Sequence, residues 1–252
     1  MPIDIFSNPN AVARAAAEMV VTVANAAVAE RGQFTIALSG GSTPKLLFAL
    51  LADTAEPFRA RMPWNKTLFF FGDERHVPPE HEESNYRMAM LTMLSKAPVP
   101  RENIHRIRAE NPDAASAASA YNTRLIELLC TPPQTIPVFD LILLGMGPDG
   151  HTASLFPGSA ALHDTSAAVV ANWVEKFNAF RITFTYPTIN AARHVAFLIT
   201  GLDKAPVLNH VLTDANKTQY PSQGVHPTHG TLDWMLDAAA ATELPETLKM
   251  KA

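Results

Sequence analysis

Phe139-Asp140-Leu141-Ile142-Leu143-Leu144 runs without a break into Gly145-Met146-Gly147-Pro148-Asp149-Gly150-His151-Thr152. A short, nearly continuous apolar run that stops at glycine reads as a strand buried on both faces; a half-exposed strand would alternate apolar with polar. Outward from this strand, the same pattern recurs. Phe34 to Leu38 ends at Ser39-Gly40-Gly41, Thr67 to Phe71 ends at Gly72, and His194 to Thr200 ends at Gly201. Ile3 to Phe6 reads as a short first strand, Ile104 to Ile107 as a weaker one, and Arg181 to Thr185 as another. Helical stretches separate them: Pro9 to Glu30 with Gly32 as its stop, Thr43 or Pro44 to Ala52, Ser84 as the N-cap of a helix reaching Leu94, Pro112 to Leu129, Asp203 to Leu212, and a last helix from Thr231 to Ala241. A Pro-rich loop covers Thr131 to Pro137. Strands alternating with helices imply right-handed βαβ units. The expected fold is α/β, a mainly parallel sheet with helices on both faces, organised as one domain over residues 1–252 with room for a small elaboration.

Composition narrows the function. The chain is 252 residues long with a net charge of −4, so nothing draws it as a whole to nucleic acid or to an anionic membrane. A single cysteine, Cys130, permits neither an internal disulfide nor a Cys-rich zinc site. The apolar stretch Ala11 to Ala29 carries Arg14, Glu18 and Asn25 at helical spacing, which reads as a helix lying against a core. Met1 to Phe6 has no basic segment ahead of an apolar one, so a cytoplasmic protein is expected.

In an open parallel sheet, ligands bind beyond the carboxyl ends of the strands, so the residues following each strand hold the candidates. Ser39-Gly40-Gly41-Ser42-Thr43-Pro44 combines close backbone approach, two hydroxyls and a helix N-terminus; it is either an anion cradle or a plain capped turn. It lacks the spacing of a Walker A loop. Gly72-Asp73-Glu74-Arg75-His76 puts four ionisable side chains directly after an apolar strand: either Arg75 grips an anion there, or the turn is solvated. Gly145 to Gly150 has the spacing of a dinucleotide fingerprint, but Pro148 removes an N–H from the turn and no second strand leads to an acid. Asp149-Gly150-His151 instead places an imidazole beside a carboxylate, suited to general-base work near neutrality, unless His151 merely caps a helix over Thr152 to Phe156. Arg181 and Lys204 are further cations at strand ends. The pairs His76/His81 and His226/His229 lack the frame of a zinc site, and no G-x-S-x-G elbow is present, so neither metal nor cofactor is expected.

Read together, these junctions resemble the glucosamine-6-phosphate isomerase/6-phosphogluconolactonase family, on its lactonase side. Leu38 to Pro44, Gly72 to Arg75 followed by Ser84-Asn85-Tyr86, Gly145 to Gly158, Arg181-Ile182-Thr183, Gly201 to Ala205 and Leu232-Asp233-Trp234 all fit, in order, over nearly the whole chain. Deaminases of the wider superfamily carry Asp-Glu-Tyr where this chain has Arg75 in third place, and an acid after the histidine where it has Phe156. One departure from the lactonase pattern is Asn178-Ala179-Phe180, where lactonases often carry prolines.

The resemblance implies a modified Rossmann-like, sugar-phosphate isomerase/deaminase-like fold. It also implies hydrolysis of 6-phospho-D-glucono-1,5-lactone in the oxidative pentose phosphate pathway. His151 would act as general base with Asp149 orienting it, and Asp73 is a third catalytic candidate. Ser39, Gly40, Gly41, Ser42, Thr43, Arg75, Asn85, Arg181 and Lys204 would bind the sugar phosphate. Arg75, Arg181 and Lys204 are therefore expected to converge with the Ser39–Thr43 loop at one edge of the sheet. The expected partner is this small molecule, with no nucleic acid or membrane, and a monomer is the favoured state. Two rival readings follow from the same resemblance: an amino-sugar-phosphate deaminase with Asp73 as base, and a non-enzymatic sugar-phosphate sensor.

Overall fold

The computed structural model describes residues 2–130, 136–214 and 219–249. Nine strands form two sheets. In chain order they are β1 (Ile3–Phe6), β2 (Phe34–Leu38), β3 (Thr67–Phe71), β4 (Asp73–Arg75), β5 (Leu141–Leu144), β6 (Val169–Val174), β7 (Ala179–Phe184), β8 (His194–Ile199) and β9 (Thr231–Asp237). The large sheet is parallel throughout, in the order β1-β9-β8-β5-β2-β3, and the small one is antiparallel, β4-β7-β6. Every residue of β2 and β5 is buried, as expected of strands covered on both faces. The chain moves outward from β2 to β3 on one side and from β5 through β8 to β9 on the other. The crevice between β2 and β5 is thus the topological switch point, where ligands of such sheets lie.

The helices are α1 (Pro9–Arg31), α2 (Ser42–Ala52), α3 (Pro57–Arg61), α4 (Asn85–Ala89), α5 (Ala114–Leu129), α6 (Tyr186–Asn190), α7 (Ala205–Thr213) and α8 (Glu246–Lys249). α1 is long and apolar enough to cross a membrane, yet one face, Val12, Ala16, Val20, Ala24 and Ala27 among it, is buried against the sheet and α2. Asn8 caps its start by accepting from the Ala11 N–H, and Gly32 ends it at φ 79°. α4 continues into a π-helical turn, Met90–Leu94.

Two polar residues fix the frame. Asp140 is buried and accepts from both the Thr35 N–H (2.8 Å) and the Thr35 hydroxyl (3.0 Å), which locks the amino ends of β2 and β5 together. Gly72 joins the sheets: its N–H donates to the Leu38 carbonyl (3.0 Å), and its own carbonyl accepts from the Phe184 N–H (2.8 Å).

The structure corrects four local expectations. Thr231 to Ala241 is not a helix: Thr231–Asp237 is strand β9, flanked by β1 and β8. Ile104 to Ile107 contributes only a single bridge, from Ile104 to Phe69. Thr152 to Phe156 is a tight turn closed by mutual Thr152–Leu155 hydrogen bonds, so His151 caps no helix. The stretch after Gly72, read as a turn, begins with a strand, β4, and the small sheet adds β6, for which no strand was expected. Of the loop expected over Thr131 to Pro137, residues 131–135 lie outside the described residues.

Candidate active site

A cavity of about 290 Å³ opens at the carboxyl ends of β2 and β5. Its first wall is the turn from β2 into α2. Gly41, at φ 106°, precedes the helix, and no side chain caps the helix N-terminus, so its first N–H groups remain available to an anion. Gly40 must be glycine, because a Cβ there would sit 2.0 Å from Asn85 Oδ1. The Thr43 hydroxyl pairs with the Thr200 hydroxyl at 2.7 Å across to β8.

The second wall is β4. Asp73 is buried; one carboxylate oxygen accepts from Asn85 Nδ2 (3.1 Å) and the other from Ser154 Oγ (2.7 Å). Glu74 points away from the cavity, into the start of α4. It accepts from the backbone N–H groups of Arg75 (2.9 Å), Asn85 (2.7 Å) and Tyr86 (2.8 Å) and from the Ser84 hydroxyl (3.0 Å). Burial raises its carboxyl above the usual range, and the three backbone donors only partly offset this. Through these bonds Glu74 fixes where Asn85 and Arg75 stand. Arg75 lines the cavity, with one guanidinium nitrogen donating to the Glu83 carbonyl.

The third wall is the turn after β5. The Gly147 N–H donates to the His151 carbonyl (2.9 Å) and the Gly150 N–H to the Gly147 carbonyl (3.0 Å), which curls His151 back over the turn. A Cβ on Gly147 would strike the His151 ring at 2.1 Å. Gly150 adopts φ 73°, and its carbonyl is held by the Ser222 N–H and hydroxyl. His151 Nδ1 meets Asp149 Oδ1 at 2.5 Å, and its ring stacks on Phe156 at 4.1 Å. Asp149 Oδ2 accepts from Lys176 Nζ at 3.1 Å. Burial pushes the Asp149 carboxyl up, but the bond and charge of His151 and the bond from Lys176 outweigh it and hold the carboxyl at about 2. With Asp149 ionised, Nδ1 is the protonated nitrogen and the lone pair falls on Nε2, the arrangement a general base requires.

Ser39, Gly40, Gly41, Ser42, Thr43, Asp73, Arg75, Asn85, His151 and Lys204 all line this one cavity. Asp149 lies behind His151. Arg181 sits opposite Arg75 in the β4–β7 pairing and does not line the cavity; its guanidinium rests 5.2 Å from the Phe177 ring centre. Burial and the Arg75 charge beside it lower the Arg181 pKa. Three contributors were missed from sequence: Thr200, Ser154 and Lys176. Ser154 and Lys176 act across 81 and 27 residues respectively, and no local pattern announces such contacts. Among the described residues, no three His, Cys, Asp or Glu side chains gather as a metal site would require.

Comparison with known proteins gives the site its context. Residues 7–234 match the family described as glucosamine-6-phosphate isomerases/6-phosphogluconolactonase. The 6-phosphogluconolactonase of Nostoc sp. (strain PCC 7120) is 39% identical over 243 residues, covering 96% of this chain and 98% of that protein. The solved structure of 6-phosphogluconolactonase from Trypanosoma brucei superposes with a TM-score of 0.84 at 31% identity, covering 97% of this chain and 98% of that one. A monomeric glucosamine-6-phosphate deaminase reaches a TM-score of 0.80 over 96% of this chain and 100% of its own, but at 16% identity, a likeness of fold alone.

Proposed function

The chain belongs to the glucosamine-6-phosphate isomerase/6-phosphogluconolactonase family, and from that premise we infer that it hydrolyses 6-phospho-D-glucono-1,5-lactone to 6-phospho-D-gluconate with His151 as general base. This is the lactone-opening step of the oxidative pentose phosphate pathway. The observation that carries the reading is the His151–Asp149 pair facing an uncapped helix N-terminus, Arg75 and Lys204 across one cavity. That is a base at one end of a space and an anion cradle at the other.

The chemistry follows from the geometry. The phosphate lies against the Gly40–Thr43 turn, with Arg75 and Lys204 supplying positive charge. Fixing the phosphate sets the distance from the lactone carbonyl to Nε2 of His151. Nε2 takes a proton from water as its oxygen bonds to C1, and Asp149 stabilises the imidazolium that forms. Collapse of the tetrahedral intermediate breaks the bond from C1 to the ring oxygen, and the imidazolium returns its proton to that oxygen. Gly147 and Gly150 spend their N–H groups closing their own turn. Neither is therefore a donor for the oxyanion that develops on C1. Asn85 and Ser154 hold Asp73 at the cavity wall, where it orients water or a sugar hydroxyl.

His151→Ala should lower kcat by roughly two to four orders of magnitude in a coupled assay with freshly generated lactone, corrected for spontaneous opening. Near-normal turnover removes His151 from the role. The deaminase reading is the weaker one here, because Phe156 stacks on the imidazole and offers no proton carrier for an amine leaving group. Release of ammonia from glucosamine 6-phosphate would reverse that judgement.

A further inference from the structure

The hairpin between β6 and β7 turns through a 3₁₀ segment, Glu175–Phe177, and closes at Asn178. Asn178 adopts φ 47° and ψ 44°, a left-handed conformation that asparagine tolerates better than most residues. Its N–H donates to the Glu175 carbonyl at 3.0 Å. The turn sends two arms to the imidazole. Lys176 reaches the Asp149 oxygen that His151 does not use, at 3.1 Å. Phe177 packs edge-on against Phe156 (5.7 Å, 78°), the ring on which His151 is stacked. Glu175, the acid of the same turn, accepts from Trp173 Nε1 at 3.0 Å.

We propose that Lys176 is a positioning residue for the His151 base: it shares Asp149 with the imidazole, fixes the tautomer that leaves Nε2 free, and keeps that nitrogen unprotonated to lower pH. The inference rests on the reading of His151 as the base. Asp149 Oδ1 accepts from the ring and the backbone N–H (3.4 Å) of His151, and Oδ2 from Lys176, so the carboxylate cannot rotate without losing a bond. A cation on the far oxygen drains charge that would otherwise favour an imidazolium. The depressed Asp149 carboxyl accords with that double engagement. The other charged or titratable groups around His151 are Asp73 and Arg75 from β4, Lys204 ahead of α7, Tyr220 against Gly150, and Arg181 beneath Phe177. Among the described residues, none of these groups bonds Asp149. Lys176 itself is 57% exposed, so its influence is screened and moderate.

The test compares wild type, Lys176→Met and Lys176→Arg, in the full chain. The His151 imidazole is followed by NMR titration, its signal assigned by its loss in His151→Ala, alongside the pH dependence of kcat/KM on fresh lactone. Removing one charge at this range and exposure should move the Lys176→Met titration up by about half a pH unit. The acid limb should move with it, giving about threefold lower kcat/KM at pH 6. KM should change little, Lys176→Arg should restore the wild-type profile, and high salt should move wild type toward Lys176→Met. Superimposable titrations for wild type and Lys176→Met overturn the proposal. If His151→Ala abolishes turnover while the Lys176→Met titration is unmoved, only the role of Lys176 fails. If His151→Ala retains turnover, the base assignment and this inference fall together.

Discussion

Arg75 is held twice: its N–H donates to Glu74, and its guanidinium to the Glu83 carbonyl at the cavity wall. Arg181 is its cross-strand neighbour, but it is turned beneath Phe177. The two arginines, equivalent as strand-end cations in the sequence, are therefore unequal in space. Arg75→Ala should raise KM by tenfold or more, on the order of a lost charge-assisted hydrogen bond, with a smaller effect on kcat. Arg181→Ala should raise KM by less. Steady-state kinetics on both variants decides the matter, and an unchanged KM for Arg75→Ala rules out its phosphate contact.

Glu74 shows how a single side chain can assemble an element. α4 is only five residues long, and its start is organised by a carboxylate from another strand that takes four hydrogen bonds. Glu74→Ala should strand those donors in a buried setting and cost about 2–4 kcal/mol in a urea melt. It should also lower kcat, because Asn85 loses its post beside Asp73; wild-type stability would refute this assignment. The same contrast between local and distant information explains what the sequence disclosed. The strand–glycine junctions at Leu38, Phe71 and Leu144 were legible because apolar runs and turn residues are local signals. Residues 231–241 misled because Leu232, Met235 and Leu236 have helical spacing and Ala238 to Ala241 favour helix. Pairing with β1 and β8 on either side overrides that preference. Nothing near Ser154 in the chain points to Asp73, so the polar network of the site was opaque although most of its members were named.

At the scale of the molecule, the large sheet separates stability from function along the strand axis. Asp140 clamps β2 to β5 at their amino ends, and Arg31 and Arg193 flank its other oxygen at 2.9 and 3.4 Å. The cavity lies at the opposite ends of the same two strands. Asp140→Ala should therefore cost about 2–3 kcal/mol, because it leaves the buried Thr35 N–H without its acceptor, while the more exposed Arg31 and Arg193 contribute little. KM for the lactone should stay near the wild-type value. Denaturation midpoints and kinetics on the folded fraction test both halves, and a large KM change would show that the two ends are coupled.

Gly72 makes the site a property of two bodies. Asp73 and Arg75 ride on the small sheet, whereas the Gly40–Thr43 turn and the approach to His151 issue from the large one, and this glycine bonds to both. The arrangement is that of tongs, with this glycine as a rivet. The gap between the jaws is set by how the sheets are tilted at the rivet, as well as by the side chains that line it. Packing behind Phe184, whose N–H donates to the Gly72 carbonyl, then acts as a wedge on that gap. Tyr121 and Phe139, which do not line the cavity, thereby bear on its width through their packing on Phe184.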